Sequence, residues 1–158
     1  MKRVLFALCA VLAFAWVGCR SSNDMGSYYE HETTFLNREL DGSLTLRAWG
    51  AGRNRNDAME QAKKNAVNDV LFKGIRNTGD AYTSKALVTE VNAREKYRDY
   101  FDRFFADGGA YSKYVSMEDT RAGSKTSVSN KVQKTYGITV RVLVPQLRQR
   151  LQQDGVLK

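Results

Sequence analysis

Cysteine, histidine and proline are scarce in this chain, which has two cysteines, one histidine and one proline among 158 residues. A disulfide framework needs several cysteines, and a structural zinc site takes four Cys or His ligands. The composition therefore excludes a disulfide framework and argues against a zinc centre. The common nucleophile–base–acid sets are also unavailable, so we expect no enzymatic activity, no metal and no cofactor.

Long hydrophobic runs are also absent. The longest uncharged apolar run, Val4 to Val17, has 14 residues and follows Lys2 and Arg3. A membrane-spanning helix needs about 20 apolar residues, whereas a short apolar run after a basic N-terminus is typical of a secretory signal peptide. We therefore predict that residues 1–18 are a signal peptide.

The end of this run predicts how the chain is anchored. Gly18 and Cys19 resemble the lipobox of bacterial lipoproteins, although Trp16 stands where leucine is usual in that motif. The resemblance implies a lipid on Cys19, and ordinary secretion with a free Cys19 thiol is the alternative. Arg20 follows the cysteine, whereas aspartate there is the inner-membrane retention signal in the best-known bacteria. The resemblance therefore implies the outer membrane more than the inner membrane.

Basic residues exceed acidic residues, with 25 Lys and Arg against 17 Asp and Glu and a formal net charge of +8. Loss of residues 1–18 removes Lys2 and Arg3 and lowers this charge to +6. Outside the cytoplasm, nucleic acid is not the expected partner, and the candidates are anionic lipid headgroups, acidic glycans or acidic envelope proteins. The alternative is that the charge only keeps the protein soluble.

Residues 19–31 are polar and show no apolar period. We predict that they form a lipidated cysteine and a flexible tether, and that residues 32–158 form a single domain. His31 ends the tether, and a histidine there is a poor general base because nothing fixes its position.

The first half of the domain predicts a hairpin followed by a helix. The Asp-Gly pair at 41–42 is a strong turn signal, and Ser43–Gly50 alternates like a strand with one buried face. Asp57 and Glu60 have capping-box spacing at the start of a helix over Asp57–Ile75. One face of this helix carries the small side chains of Ala58, Ala62 and Ala66, so the helix can lie close on a sheet.

The second half predicts a second helix, with Asn92 and Glu95 as its capping box. Its apolar stripe has helical spacing and consists of Tyr97, Tyr100, Phe101, Phe104 and Phe105. We interpret the stripe as core, and a sugar-stacking platform is the alternative. The acidic residues Glu95, Asp99 and Asp102 are interpreted as partners in surface ion pairs rather than as an acid/base set.

Further strands and a last helix surround this aromatic helix. The sequence predicts strands at 86–88 and 111–117 and a long strand over Thr126–Leu143 with a bulge at Gly137. Pro145 suits the first turn of a last helix, and Gly155 suits its C-cap. Because the strands alternate rather than read as continuous apolar runs, we predict an α+β fold of two layers. Its sheet is mixed or mainly antiparallel, with helices packed on one face.

Two clusters are candidate binding sites. Gly50 and Gly52 stand between a strand and a helix, with Arg53 and Arg55 beside them, which is where an anion-binding loop would lie. The lack of a third glycine at the dinucleotide-motif position argues against a nucleotide site. The second candidate is a basic loop and strand that carries Arg121, Lys125, Lys131 and Lys134. It could bind an acidic partner, although most such runs are solvated faces.

The segment from Leu46 to Val70 resembles a small-lipoprotein family whose βα unit also forms the N-terminal domain of flagellar assembly protein T. The shared features are a strand ending in Gly50, the turn to Gly52 and a helix with regularly spaced alanines. The resemblance implies an envelope lipoprotein with a structural or binding role and carries over no catalytic residue.

The sequence as a whole therefore predicts a non-enzymatic envelope lipoprotein with a structural or binding role, anchored by lipid on Cys19. The alternative is a module that binds glycan or anionic lipid through the basic strand face. A hydrolase of envelope polymers is a third and weaker hypothesis.

Overall fold

The computed structural model has an α+β fold and describes residues 32–76, 83–117, 126–129 and 134–157. The strands are β1 (Thr34–Arg38), β2 (Leu44–Gly52), β3 (Ile75–Arg76), β4 (Thr83–Ser84), β5 (Val115–Ser116), β6 (Thr126–Ser129) and β7 (Lys134–Val142). The helices are α1 (Arg55–Asn68), α2 (Ala93–Lys96), α3 (Arg98–Phe104) and α4 (Val144–Gln153). A π-helical turn (Asp69–Lys73) extends α1, and a 3-10 turn (Ala110–Tyr114) precedes β5.

The main sheet has the strand order β1-β2-β7-β5. On the edge of β7 that faces away from β2, β5 pairs with the C-terminal end of β7 and β6 pairs with its N-terminal end. All of its described pairings are antiparallel. The separate pair of β3 and β4 is also antiparallel. The predicted α+β class is confirmed, and of the two sheet types the antiparallel one is present.

The core lies between one face of this sheet and α1. Leu44, Leu46 and Ala48 of β2 lie opposite Val142, Val140 and Ile138 of β7, and all six are buried. The alanine face of α1 is fully buried against them. A Cβ atom at Gly50 would lie only 2.2 Å from the carbonyl oxygen of Ala58. The helix backbone therefore lies as close to β2 as the alanine spacing predicts.

Enlarging this alanine face is expected to destabilise the domain. Ala66 is fully buried, so Ala66→Leu forces extra volume into a packed contact and should cost about 1–3 kcal/mol of unfolding free energy. Urea unfolding of the chain from residue 20 onward measures this, with Ala106→Leu at an exposed position as the control. Equal midpoints for Ala66→Leu and wild type would contradict the packing described.

The N-terminus of α1 is capped by a residue that the sequence interpretation missed. The side-chain oxygen of Asn54 accepts a hydrogen bond from the Asp57 backbone N–H at 2.9 Å, and the Asp57 carboxylate accepts one from Asn54 Nδ2. The predicted box of Asp57 and Glu60 is therefore wrong by one turn. Asn54 has the same spacing to Asp57 that Asp57 has to Glu60, so spacing alone did not distinguish them.

The π-helical turn at the end of α1 changes how the next segment packs. Gly74, at φ +76°, donates its N–H to the Asp69 carbonyl at 2.8 Å. The carbonyls of Val70 and Leu71 accept hydrogen bonds from the N–H groups of residues 87 and 88, at 3.1 and 2.9 Å. The predicted strand at 86–88 is therefore wrong, because this segment bonds to a helix end rather than to a strand.

The same turn holds the start of the domain. Asp69 is buried, and its carboxylate accepts a hydrogen bond from the Thr33 hydroxyl at 2.6 Å. Lys73 Nζ lies 2.9 Å from the other carboxylate oxygen. The first residues of the described chain are thus joined to the end of α1, 36 positions later in the sequence.

The aromatic helix is interrupted rather than continuous. Tyr97 separates α2 from α3 with φ −109° and ψ 32°, although its carbonyl still accepts from the Phe101 N–H. Asn92 has φ 58° and makes no side-chain cap bond, so the predicted capping box with Glu95 is wrong. Phe101 and Phe104 are only 3% exposed, which confirms the core interpretation of the stripe over the sugar-stacking alternative.

The predicted strand over 111–117 is instead a 3-10 turn followed by the two residues of β5. The spacing of Tyr111, Tyr114 and Val115 fits a helical turn as well as the alternation fits a strand, and short segments are ambiguous between the two. The turn folds the Tyr111 ring back against Phe105, with 6.0 Å between the ring centroids.

The predicted bulge at Gly137 is wrong. Gly137 pairs with Trp49 in an unbroken register between β2 and β7. A Cβ atom at residue 137 would lie 3.0 Å from three indole carbons, so the glycine makes room for the Trp49 ring. A bulge is present in β1 instead, where the register shifts between Phe35 and Asn37.

The last helix agrees with its sequence signals. Pro145 lies in the first turn of α4, and Leu147 and Leu151 are fully buried. Gly155 has φ +72°, and the Val156 N–H returns to the Leu151 carbonyl at 2.9 Å. None of the helices in the described ranges is long and apolar enough to cross a bilayer.

Candidate functional site

The Gly-Ala-Gly turn after β2 has a packing explanation. A Cβ atom at Gly52 would lie 2.5 Å from the backbone nitrogen of Ala58 and 2.7 Å from the Cβ of Asp57. Together with the close approach at Gly50, this shows that both glycines allow α1 to lie against the strand. The turn therefore needs its glycines whether or not a ligand binds there.

The surroundings of this turn oppose an anion. Gly52 and Arg53 line a groove together with Lys64 and three carboxylates. These are Asp57, Glu60 and Asp107. Arg53 and Arg55 are exposed, and Arg55 does not line the groove. The structure brings the candidate residues near one another, but an anion at this helix terminus would meet nearby negative charge. Anion binding at Gly50, Gly52, Arg53 and Arg55 stays a prediction.

The carboxylates of this groove are engaged in structural contacts. Glu60 accepts a hydrogen bond from the Tyr111 hydroxyl at 2.5 Å, which holds the pKa of Glu60 below its usual range. Burial and the same carboxylate raise the pKa of Tyr111 above its usual range. Lys64 Nζ lies 2.7 Å from Asp107, and this ion pair lowers the pKa of Asp107. The pKa values of these three groups move away from neutrality, which does not suit proton transfer near pH 7.

The structure brings two of the three acidic residues of the aromatic helix to one groove. Glu95 and Asp102 line an open groove of about 950 Å³ between α1 and the α2–α3 segment, whereas Asp99 does not line it. Arg98 lies 3.8 Å from Asp102. In the described ranges, no group of three or more His, Cys, Asp or Glu side chains is placed to hold a metal ion.

Several predicted site residues lie outside the described ranges. Cys19 and residues 1–18 are among them, as are Arg121, Lys125 and Lys131. Lys134 begins β7, where its backbone pairs with Gly52 on one side and Ser129 on the other. The lipid anchor and the basic strand face stay predictions.

A groove that the sequence interpretation missed carries the clearest excess of positive charge. It has a volume of about 790 Å³ and lies between the β1–β2 hairpin, residues 84–90 and α4. Arg38, Lys85 and Arg148 line it, all three exposed and without an ion-pair partner among the residues that the structure describes. We call this feature the basic groove.

Among the described residues of its lining, the acidic one, Glu90, is already paired. The Glu90 carboxylate lies 2.5 Å from Lys96 Nζ, and this contact raises the pKa of Lys96. The apolar part of the lining includes Val144 and Leu157, both half-buried. The three cations come from positions 38, 85 and 148, so no local motif could have predicted the groove. Only the fold brings them together.

Comparison of the chain with known protein families, with characterised proteins and with solved structures finds no match.

Proposed function

We propose that this protein is a non-enzymatic envelope lipoprotein, anchored by lipid on Cys19, whose domain binds another component of the bacterial envelope. The anchor rests on the apolar run of residues 4–17 and on the Gly18-Cys19 pair that follows it. The proposed location is the periplasmic or surface side of a membrane, with the outer membrane favoured by Arg20.

The observation that carries the binding role is the basic groove. Arg38, Lys85 and Arg148 face a common space, while Glu90 beside them is paired with Lys96. Unpaired cations around a concave surface attract anionic partners and raise their local concentration. The anionic components available outside the cytoplasm are lipid headgroups, acidic glycans and acidic proteins.

A binding assay with isolated bacterial envelopes tests this role. All of the described core residues lie between Thr33 and Val156, so the chain from residue 20 onward contains the whole described core. We expect this unlipidated chain to cosediment with envelopes at low salt and to dissociate as salt screens the charges. Arg148→Glu should weaken binding about tenfold or more, because it reverses one of the three groove charges.

Lys113→Glu is the matched control, since Lys113 is an exposed cation that does not line the groove. Wild-type protein that fails to cosediment at low salt would contradict the binding role. Loss of binding in Lys131→Glu but not in Arg148→Glu would instead support the basic strand face of Arg121, Lys125, Lys131 and Lys134.

A further inference from the structure

Two fully or largely exposed aliphatic residues adjoin, along the chain, residues that line the basic groove. Leu40 has the highest exposure of any large hydrophobic residue in the described ranges, and Val91 is 83% exposed. Leu40 lies in the hairpin turn between Arg38 and Gly42, which both line the groove. Val91 directly follows Glu90, another lining residue. Each of these two exposed apolar residues thus lies on a turn, close in sequence to residues that line the groove.

The neighbouring hairpin acids offset only part of the positive charge of this end. Glu39 accepts hydrogen bonds from the Thr45 hydroxyl and from Asn37 Nδ2. Asp41 accepts from Arg141 at 3.0 Å and from the Ser43 N–H at 2.9 Å. Asp41 is therefore paired with a cation of β7, whereas the donors to Glu39 are neutral and leave the negative charge of Glu39 in place. The three groove cations still outnumber this one uncompensated hairpin carboxylate.

The groove is also held in a defined shape. Gly42 has φ +83°, and a Cβ atom there would lie 3.2 Å from the Pro145 ring. The hairpin turn therefore packs on the first turn of α4, and Arg148 follows Pro145 by about one helical turn. The turn that carries Leu40 and the helix that carries Arg148 are thereby fixed relative to each other.

We propose that this end of the domain docks on an anionic membrane surface. The basic groove receives phosphate-bearing headgroups, and Leu40 and Val91 insert at the boundary between headgroups and acyl chains. Cations near the surface with adjacent aliphatic side chains are the combination that holds peripheral proteins on anionic membranes. The inference deepens the proposed envelope-binding role by naming phospholipid as the component bound.

The exposed aliphatic residues favour a membrane over other anionic partners. Sugar recognition commonly uses aromatic faces, and no aromatic side chain is among the described lining residues of the groove. An acidic glycan would leave Leu40 and Val91 in water. Both residues lie on turns. A lipid surface can accept such projecting side chains, whereas a protein partner would need a cavity shaped to receive them.

The proposed tether is long enough for this orientation. The described chain enters at the Thr33 end of β1, and Leu40 follows its other end. Five strand residues span about 17 Å, whereas residues 19–31 can extend to about 40 Å. A lipid on Cys19 and the basic groove can therefore contact the same membrane.

Vesicle binding tests the inference. The unlipidated chain from residue 20 onward is mixed with vesicles of equal parts phosphatidylglycerol and phosphatidylcholine, or with vesicles of phosphatidylcholine alone. We expect binding only to the anionic vesicles. Arg148→Glu should weaken it about thirtyfold, and Leu40→Ala about tenfold. Lys113→Glu and Leu36→Ala, at exposed positions outside the lining, should leave it within about twofold.

Other results separate this inference from the proposed function. Cosedimentation with envelopes but not with anionic vesicles would overturn membrane docking and leave the envelope-binding role standing. Binding to soluble polyglutamate in preference to vesicles would overturn it in favour of an acidic protein partner. Equal vesicle binding by wild type, Arg148→Glu and Leu40→Ala would overturn the assignment to this groove. Circular dichroism verifies that each variant is folded.

Discussion

Cys19→Ala is expected to abolish incorporation of labelled fatty acid into the protein and to stop its normal signal cleavage. The lipid is attached to a thiol, and alanine offers no nucleophile to receive it. If lipid attachment precedes cleavage, as the lipobox resemblance implies, the variant should accumulate at the mass of the uncut chain. Metabolic labelling with palmitate followed by mass measurement detects both effects.

Cys9→Ala is the matched control for this experiment. Cys9 lies within the apolar run, so it leaves with the signal peptide and its loss should change neither labelling nor cleavage. Wild-type protein that fractionates as soluble and unlabelled would contradict the lipoprotein assignment. Ordinary secretion with a free Cys19 thiol would then be the better interpretation.

Truncation of the buried aromatic residues is expected to have the largest effect on stability. Phe101 packs edge-on against Phe72 at 4.9 Å between ring centroids, and Phe104 contacts Phe105 at 5.1 Å. Phe101→Ala and Phe104→Ala each leave a cavity and should cost about 3–5 kcal/mol. This is a large share of the 5–15 kcal/mol that stabilises a typical domain.

Urea unfolding of the unlipidated chain measures this loss. Val91→Ala is the control, because truncation of an exposed aliphatic residue should change stability by less than about 0.5 kcal/mol. Wild-type midpoints for both phenylalanine variants would mean that the stripe is exposed. A sugar-binding role of the aromatic helix would then return as a hypothesis.

The elements with long and regular patterns could be predicted from the sequence. Alternation predicts β2, the alanine spacing predicts α1, and the proline at its start predicts α4. These signals are clear because each element buries one face. The π-helical turn after Asn68 could not be predicted, since its carbonyls are satisfied by residues 87 and 88 across a long connection. The prediction of a bulge at Gly137 was wrong for a related reason. A glycine is needed there because the Trp49 ring, on another strand, occupies the space of a side chain.

The candidate sites likewise divide into those with a local sequence signal and those that only distant contacts create. Gly50 and Gly52 stand out locally, yet the structure gives them a packing role against Ala58 and Ala62. The basic groove has no local signature, because its cations lie on three distant segments. Composition predicted an excess of positive charge, but only the tertiary structure distinguishes cations with nearby carboxylates from those without.

The bond between Thr33 and Asp69 has a mechanical consequence if Cys19 carries the proposed lipid. A pulling force from the anchor enters the described chain just before β1. There it meets the Thr33 hydroxyl, bound to a buried carboxylate that also pairs with Lys73. The load therefore passes directly into the π-helical turn that extends α1 as well as into the edge strand β1. Thr33→Val should lower the force at which β1 separates from the sheet.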